Sequence, residues 1–401
     1  MIFIYLLIVT TPFSQYPAFY NLFAGLSLVK IFGILSFTYS IFYRRVESRP
    51  VHRSSTLEFL IVVFFLYGIF RIAISNEFGE NYIFQTILSL LIFFFVSIRC
   101  IDSIEKVKKS IICIIVGVFF ATYRGLKEYF YLGIARPQSV FGDPNYFALA
   151  LVLCIIILLN FIFYSKLDKN KKIFIFLLSL IMIATLLLTA SRGGVIGLLV
   201  GLLVFLLSEK VNRKKICFFL FISLFFIVQI LPSHLFGRFG IGNIIDMESE
   251  MNSEMYGAKV STDARKKLLI AGVNMVKEKP IFGVGHGKFK YYSVSYNSEI
   301  SSSQIAHCTW LEILAEQGIF GFIIFISIIY LTLERLLSVK RLTKNTKCYN
   351  FISISNALFT SLVAYVATAT FLSAEWEKLL WIIIFISICF YNCFIEKVSS
   401  R

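Results

Sequence analysis

Charge is what this 401-residue sequence has least of: Asp, Glu, Lys and Arg make up 15% of it, against 58% hydrophobic and 17% aromatic residues. Soluble domains hold apolar usage to roughly 45–50%, so the deficit excludes a water-soluble globular fold and points to an integral membrane protein. Histidine is scarce too, with His52, His234, His286 and His307 alone, and none stands in His-x-x-x-His spacing. The eight cysteines lie in or beside apolar runs without paired-disulfide or metal spacing, and they read as small hydrophobes. No Asp-x-Asp pair occurs, which leaves a metal-held nucleotide-sugar site without support. Neither a zinc site nor a cofactor is expected.

What is abundant is long apolar runs. About twelve approach the roughly 17–25 residues that a spanning helix needs, near 1–14, 18–43, 56–75, 82–99, 110–133, 146–164, 172–190, 193–208, 215–232, 308–333, 351–372 and 379–396. Short polar gaps separate them, as suits helices rather than the alternating strands of a barrel. The first run lacks a basic flank and a small-residue cleavage site, so it reads as an anchor and not a signal peptide. The expected fold is an all-α polytopic membrane protein with spans 1–9 in residues 1–232, a long loop at 233–307, and spans 10–12 in residues 308–401.

The +16 formal charge is distributed as a topology signal. Every second gap is basic: 43–53, 99–109, 165–172, 208–215 and 334–347. The intervening gaps are not, as "SNEFGEN" (75–81) and "SAEWEK" (373–378) illustrate. Lysine and arginine in short loops mark the cytoplasmic side. Both termini are therefore expected in the cytoplasm, and a nucleic-acid partner is not. Residues 133–145, 191–194 and the long loop fall together on the outer face.

That loop is far longer than the roughly 4–6 residues typical of connections. Its part at 245–261 is polar and poorly periodic and is expected to be mobile. Next, "STDARKKLLIAGVNMVKEKP" predicts an amphipathic helix, capped at Ser261, Thr262 or Asp263 and ended by Pro280, with Leu268, Leu269, Gly272, Val273 and Val276 on its apolar face. "FGVGHGKF" (282–289) predicts a tight glycine turn whose backbone amides could face an anion or a sugar. It lacks the Gly-Lys-Ser/Thr ending of a phosphate-binding loop.

Ionisable groups gather on the outer face. His307 opens an apolar helix, where the helix dipole would hold its ring neutral and able to take a proton. Glu312 and Glu316 stack on another face of that helix and, at membrane depth, need an arginine or a wet cavity. Arg71, Arg124, Arg136, Arg192 and Arg265 concentrate fixed positive charge there. Arginine binds phosphate oxygens bidentately and keeps its proton, so the group suits a lipid-borne diphosphate. "SRGG" (191–194), between two spans, gives Arg192 no surface to anchor. In "VFGDPNYFALAL" (140–151), Asp143, Pro144 and Asn145 form a helix-delivering cap.

Four stretches in order, "FGDPNYFA", "SRGG", "ARKKLLIAGVNMVKEKPIFGVGHGKF" and "HCTWLEILAEQGIFG", together resemble the O-antigen ligase and polymerase family across about residues 140–321. The resemblance implies a bacterial glycosyltransferase of the cytoplasmic membrane. It would move a glycan from a polyprenyl diphosphate to an acceptor sugar hydroxyl at the outer face, with inversion and without metal or nucleotide. It makes Arg192 and Arg265 ligands of the donor diphosphate and His307 the base. Arg136, His286 and Glu312 join them as candidate substrate contacts. Cys308 stands where many relatives carry asparagine or serine, which removes the grounds for a second polar contact beside the base. The implied partners are the lipid-linked donor, an acceptor sugar or glycolipid, the bilayer and other membrane proteins of polysaccharide assembly. Ligase and polymerase both remain open. A transporter of the same lipid-linked sugars is the alternative, although no internal repeat of the kind common in transporters is visible and Lys30 is the clearest charge inside a span.

Overall fold

The computed structural model describes residues 1–14, 16, 26–43, 55–74, 82–165, 167–207, 248–343 and 349–399. Its regular structure is helical throughout the described residues: α1 (Ile2–Thr10), α2 (Leu28–Phe42), α3 (Ser55–Ile74), α4 (Tyr82–Cys100), α5 (Ile104–Leu132), α6 (Pro144–Tyr164), α7 (Lys169–Leu188), α8 (Arg192–Leu206), α9 (Glu248–Glu278), α10 (Phe289–Tyr296), α11 (Thr309–Thr343), α12 (Tyr349–Ala369) and α13 (Lys378–Ser399). Eleven of the twelve apolar runs carry a helix; the run at 215–232, like His52 and His234, lies outside the described residues. Seven helices, α3, α4, α6, α7, α11, α12 and α13, are long and apolar enough to cross a membrane. α1, α2 and α8 are apolar but shorter, and α5 has charges near both ends that confine its apolar stretch to 110–123. The chain is a multi-span membrane protein.

The core forms around helices that are apolar on every side. Each α6 residue from Phe147 to Asn160 is buried, the pattern of a helix enclosed by other helices. α6 packs most extensively on α12, which also receives α8. Lipid supplies no hydrophobic drive for such contacts, so small residues and polar bridges matter. Gly193, Gly197 and Gly201 repeat every fourth residue along α8, and a Cβ at Gly197 would lie 1.8 Å from Thr368 Oγ1. Asn160 Nδ2 donates to Thr360 Oγ1 at 2.7 Å, tying α6 to α12. At one end of the bundle, Arg335 and Glu58 form a two-bond pair at 3.1 and 2.8 Å. The loops described below gather at the other end.

Two expectations for the long loop are corrected. α9 begins at Glu248, so 248–261 is helical and Ser261, Thr262 and Asp263 lie inside the helix rather than capping it. The composition of this stretch, with Glu, Met and Ala among its residues, favours helix without amphipathic periodicity. Its buried face is Leu268, Ala271 and Met275, with Gly272 against Leu311, whereas Leu269 and Val273 are exposed.

The helix expected to run on from residue 308 is broken. Gly318 has φ 66° and ψ −169°, so α11 is a short segment up to Gln317 followed by a long one. A break frees backbone groups that lipid cannot satisfy, and each carbonyl before it finds a donor. Val284 N bonds Ala315 O at 2.8 Å and Gly285 N bonds Glu316 O at 3.0 Å. Tyr67 Oη donates to Gln317 O at 2.8 Å. Ile319 N in turn donates to Pro280 O at 2.9 Å. The glycine turn is thereby laced to the break, and Gly318 has no room for a side chain, since a Cβ would sit 2.2 Å from Ile281 O.

Candidate active site

Three segments bring Arg136, Arg192 and Arg265 to the wall of one recess of about 470 Å³, counting the part open to solvent, which Asn145, Ser191, Ser261 and Phe371 also line. Each arginine is held by local chemistry. α5 ends on Gly133 at φ 65°, and the loop after it is pinned by buried Glu128, whose Oε2 accepts from Gln138 N at 3.1 Å and Ser139 N at 2.7 Å. Arg136 Nε then reaches Thr189 O at 3.2 Å. Arg192 is the first residue of α8, after Ser191, whose hydroxyl accepts from Gly194 N at 3.2 Å and donates to Asn145 Oδ1 at 2.9 Å. Its Nη2 donates to Thr262 Oγ1 at 3.1 Å, joining α8 to α9 beside Arg265. Asp143 caps α6 as expected, accepting from Asn145 N at 2.6 Å and Tyr146 N at 3.3 Å.

His307 stands next to this recess. Its φ of 52° is left-handed, uncommon outside glycine and a source of local strain that the surroundings must hold. Its N–H donates to Ser373 Oγ at 3.1 Å, and Ser373 follows Leu372, itself part of the recess wall. The loop 370–377 is fastened to the start of α11: Thr309 Oγ1 donates to Leu372 O at 2.6 Å and accepts from Ala374 N at 2.9 Å. Tyr146 Oη donates to Ser373 O at 2.6 Å. Nδ1 of His307 is buried without a hydrogen-bond partner. The ring's pKa is lowered from its ordinary value, first by burial and then by the charge of Arg265, with Asp143 pulling the other way. The direction agrees with the sequence reading, and burial and Arg265 are its causes, while α11 itself starts two residues later at Thr309.

The two glutamates do not meet arginines. Glu312 is 5% exposed; its Oε2 accepts from Ala306 N at 3.2 Å and from the Ser373 hydroxyl. It sits beneath the His307 backbone and braces it through Ser373, with no side-chain atom lining the arginine recess. Glu316 accepts from Gly287 N at 2.8 Å and Phe289 N at 2.9 Å. The glycine turn is real, with Gly283, Gly285 and Gly287 all at positive φ, but the protein's own carboxylate occupies those amides, so they do not face a substrate. His286 is likewise apart from the recess. It is 3% exposed, its ring lies 4.7 Å from that of Trp376, and neither nitrogen has a partner. Burial, with the Arg71 charge second, pushes its pKa down to about 3.

The remaining arginines play other parts. Arg71 donates to Gly283 O at 3.2 Å, holding the glycine turn. Arg124 pairs with Glu128 at 3.4 Å and stacks over Tyr16 at 4.3 Å. Asn145, Ser191, Thr262, Ser373 and Glu128 were not singled out as site residues from sequence; "FGDPN" and "SRGG" carried the first two, while Ser373 and Glu128 had no local signal. Among the described residues no cluster of three or more His, Cys, Asp or Glu is arranged to hold a metal ion.

The described residues make up a multi-span membrane protein whose bundle carries a three-arginine recess beside a half-buried histidine. Residues 177–326 match the family model described as O-antigen ligase, and over that segment the chain is similar to that family. The matched segment holds Arg192, Arg265, His286, His307 and Glu312; Arg136 precedes it. The chain is also similar to an uncharacterized protein of Haemophilus influenzae, 28% identical over 218 residues, which are 51% of this chain and 53% of that protein. The chain thus spans about half the length of the curated relative it matches.

Proposed function

We propose that this protein is a membrane glycosyltransferase that transfers a glycan from a polyprenyl diphosphate to an acceptor sugar hydroxyl at the outer face of the cytoplasmic membrane, for a surface polysaccharide. The observation that carries the reading is the convergence of Arg136, Arg192 and Arg265 on one recess with His307 at its edge. The donor diphosphate pairs with the arginines, whose positive charge stabilises the negative charge that builds on the leaving oxygen. His307 takes the proton of the acceptor hydroxyl as its oxygen bonds the anomeric carbon. The bond from that carbon to the diphosphate oxygen breaks with its electron pair, and polyprenyl diphosphate departs. Attack opposite the leaving group inverts the anomeric centre. The neutral state of His307 supports the base role, and Glu312 and Ser373 act by positioning its backbone.

The test is product formation by purified protein in detergent, given a polyprenyl-diphosphate oligosaccharide. Wild type is expected to make product and His307→Ala and Arg192→Ala to make little at matched folding. Equal rates in the His307 variant would remove the base assignment. Translocation of the lipid in vesicles, with no product under any acceptor, would replace the whole reading with a transporter.

A further inference from the structure

A second and larger space opens at the same end of the bundle, away from the arginines. Between α1, α2, α4 and the start of α13 runs a groove of about 1340 Å³, counting the part open at its side, with apolar walls that include Leu7, Phe37, Phe93 and Ile382. Among the described residues its two cations are Lys30 and Lys378, which sit where α2 and α13 begin. Lys30 Nζ bridges to Gln85 Oε1 on α4 at 3.4 Å, so the charged mouth spans neighbouring helices. Glu377 stands beside Lys378, so among the described residues the mouth sets two lysines against one neighbouring carboxyl. The mouth therefore favours an anion, and the walls below it favour hydrocarbon.

Length narrows the choice of lipid. Along α4 the groove is lined from Tyr82 to Val96, and at ~1.5 Å per residue this is ~21 Å. Half of a ~30 Å hydrocarbon core is ~15 Å. The groove thus reaches past the midplane, further than a chain confined to one leaflet. Its mouth is also close to the proposed chemistry. Lys378 is five positions along the chain from Ser373, which holds His307, so the two are within ~18 Å. A smaller recess lined by Phe141, Trp376 and Glu377 shares Tyr82 and Lys378 with the groove.

We propose that this groove is a second lipid site, taking the single long chain of a polyprenyl-diphosphate-linked saccharide with its diphosphate on Lys30 and Lys378, and that this lipid is the acceptor. The proposal rests on the reading in which the arginine recess holds the donor. Its consequence is that both substrates are single-chain lipids, so the enzyme joins one lipid-linked saccharide to another and is a polymerase.

Native mass spectrometry of the detergent-solubilised full chain tests this, with sugar-free polyprenyl diphosphate and dioleoyl phosphatidylglycerol as probes. Wild type is expected to bind two polyprenyl diphosphates. Gly33→Trp should bind one, because Gly33 lines the groove and a Cβ there meets nothing within 4 Å, leaving the ring to fill the open space. Lys30→Gln, an exposed substitution that spares the fold, should weaken the second event about tenfold. The Arg192→Ala/Arg265→Ala variant should lose the other lipid and keep this one. Two lipids retained in Gly33→Trp with unchanged affinity in Lys30→Gln would overturn the groove site. Loss of phosphatidylglycerol but not of polyprenyl diphosphate would overturn the choice of lipid. Two lipids retained in the arginine variant would instead overturn the donor assignment and leave the groove standing.

Discussion

Glu316 offers the sharpest test of how the loop is held. Its carboxylate accepts from Gly287 N and Phe289 N at 2.8 and 2.9 Å, and it is 2% exposed. Glu316→Ala removes both acceptors and leaves two backbone N–H groups in a site with little access to water. Each orphaned buried donor costs about 1–3 kcal/mol, so the variant should lose about 2–6 kcal/mol. Glu316→Gln keeps one acceptor oxygen and turns an amide donor toward the other N–H, so it should lose about half as much. The measurement is equilibrium denaturation in mixed micelles, followed by tryptophan fluorescence, because Trp376 packs on His286 within the same turn. Limited proteolysis between 279 and 289 should rise in the same order, Ala above Gln above wild type. A Glu316→Ala protein within ~0.5 kcal/mol of wild type, the usual size of a surface change, with unchanged proteolysis, would refute the claim that this carboxylate organises the glycine turn.

Other consequences follow from single residues. Gly197→Leu should part α8 from α12, because even a Cβ there would meet Thr368 Oγ1 at 1.8 Å; thermal unfolding in detergent should shift down, whereas Leu203→Ala, on an exposed face of α8, should scarcely move it. For turnover, the neutral His307 ring is the active form, and its pKa lies below the ordinary 6.5, so the rate should be flat at neutral pH and fall as pH drops through that lowered value. Asp143 raises this pKa; Asp143→Asn keeps the helix cap and should move the acid limb to lower pH, and a shift to higher pH would contradict the assignment. His286 adds a stability effect of defined sign. Its folded pKa of about 3 lies below the ordinary 6.5, so the unfolded chain binds the extra proton between them. Its contribution is fully present above 6.5 and is lost as pH falls toward 3, by about 1.4 kcal/mol per unit at most. His286→Leu should flatten that part of the stability profile, measured by denaturation across pH.

The helices were legible because a bilayer imposes a length and an apolarity that any window reveals, and α3, α4, α6, α7, α11, α12 and α13 all satisfy it. The start of α9 was not, since a serine, threonine or aspartate inside a helix looks the same in sequence as one that caps it. The break at Gly318 was hidden for a related reason: its cause is the close approach of Ile281 O and Pro280 O from the preceding loop, and no periodicity records a contact made by another segment. At the site, Arg136, Arg192, Arg265 and His307 were accessible from charge type, depth and the family resemblance, because fixed cations near spans are costly without a task. Glu312 and His286 read as candidate substrate contacts, and the glycine turn as one that could face an anion or sugar, because sequence shows donors and acceptors without their partners. In the fold Glu312 serves Ser373 and Ala306, and the turn serves Glu316. Ser373 could not have been found, being 66 residues from the histidine it holds.

Separating donor binding from chemistry tests the central claim, that the arginine recess and His307 form one site with divided labour. Donor-lipid affinity and single-turnover rate would be measured on the same preparations of wild type, His307→Gln and Arg192→Gln. The account predicts that His307→Gln binds donor like wild type but turns over about 10²–10⁴-fold more slowly, while Arg192→Gln binds donor more weakly. A His307→Gln protein that loses donor affinity yet reacts at the wild-type rate once loaded would contradict it.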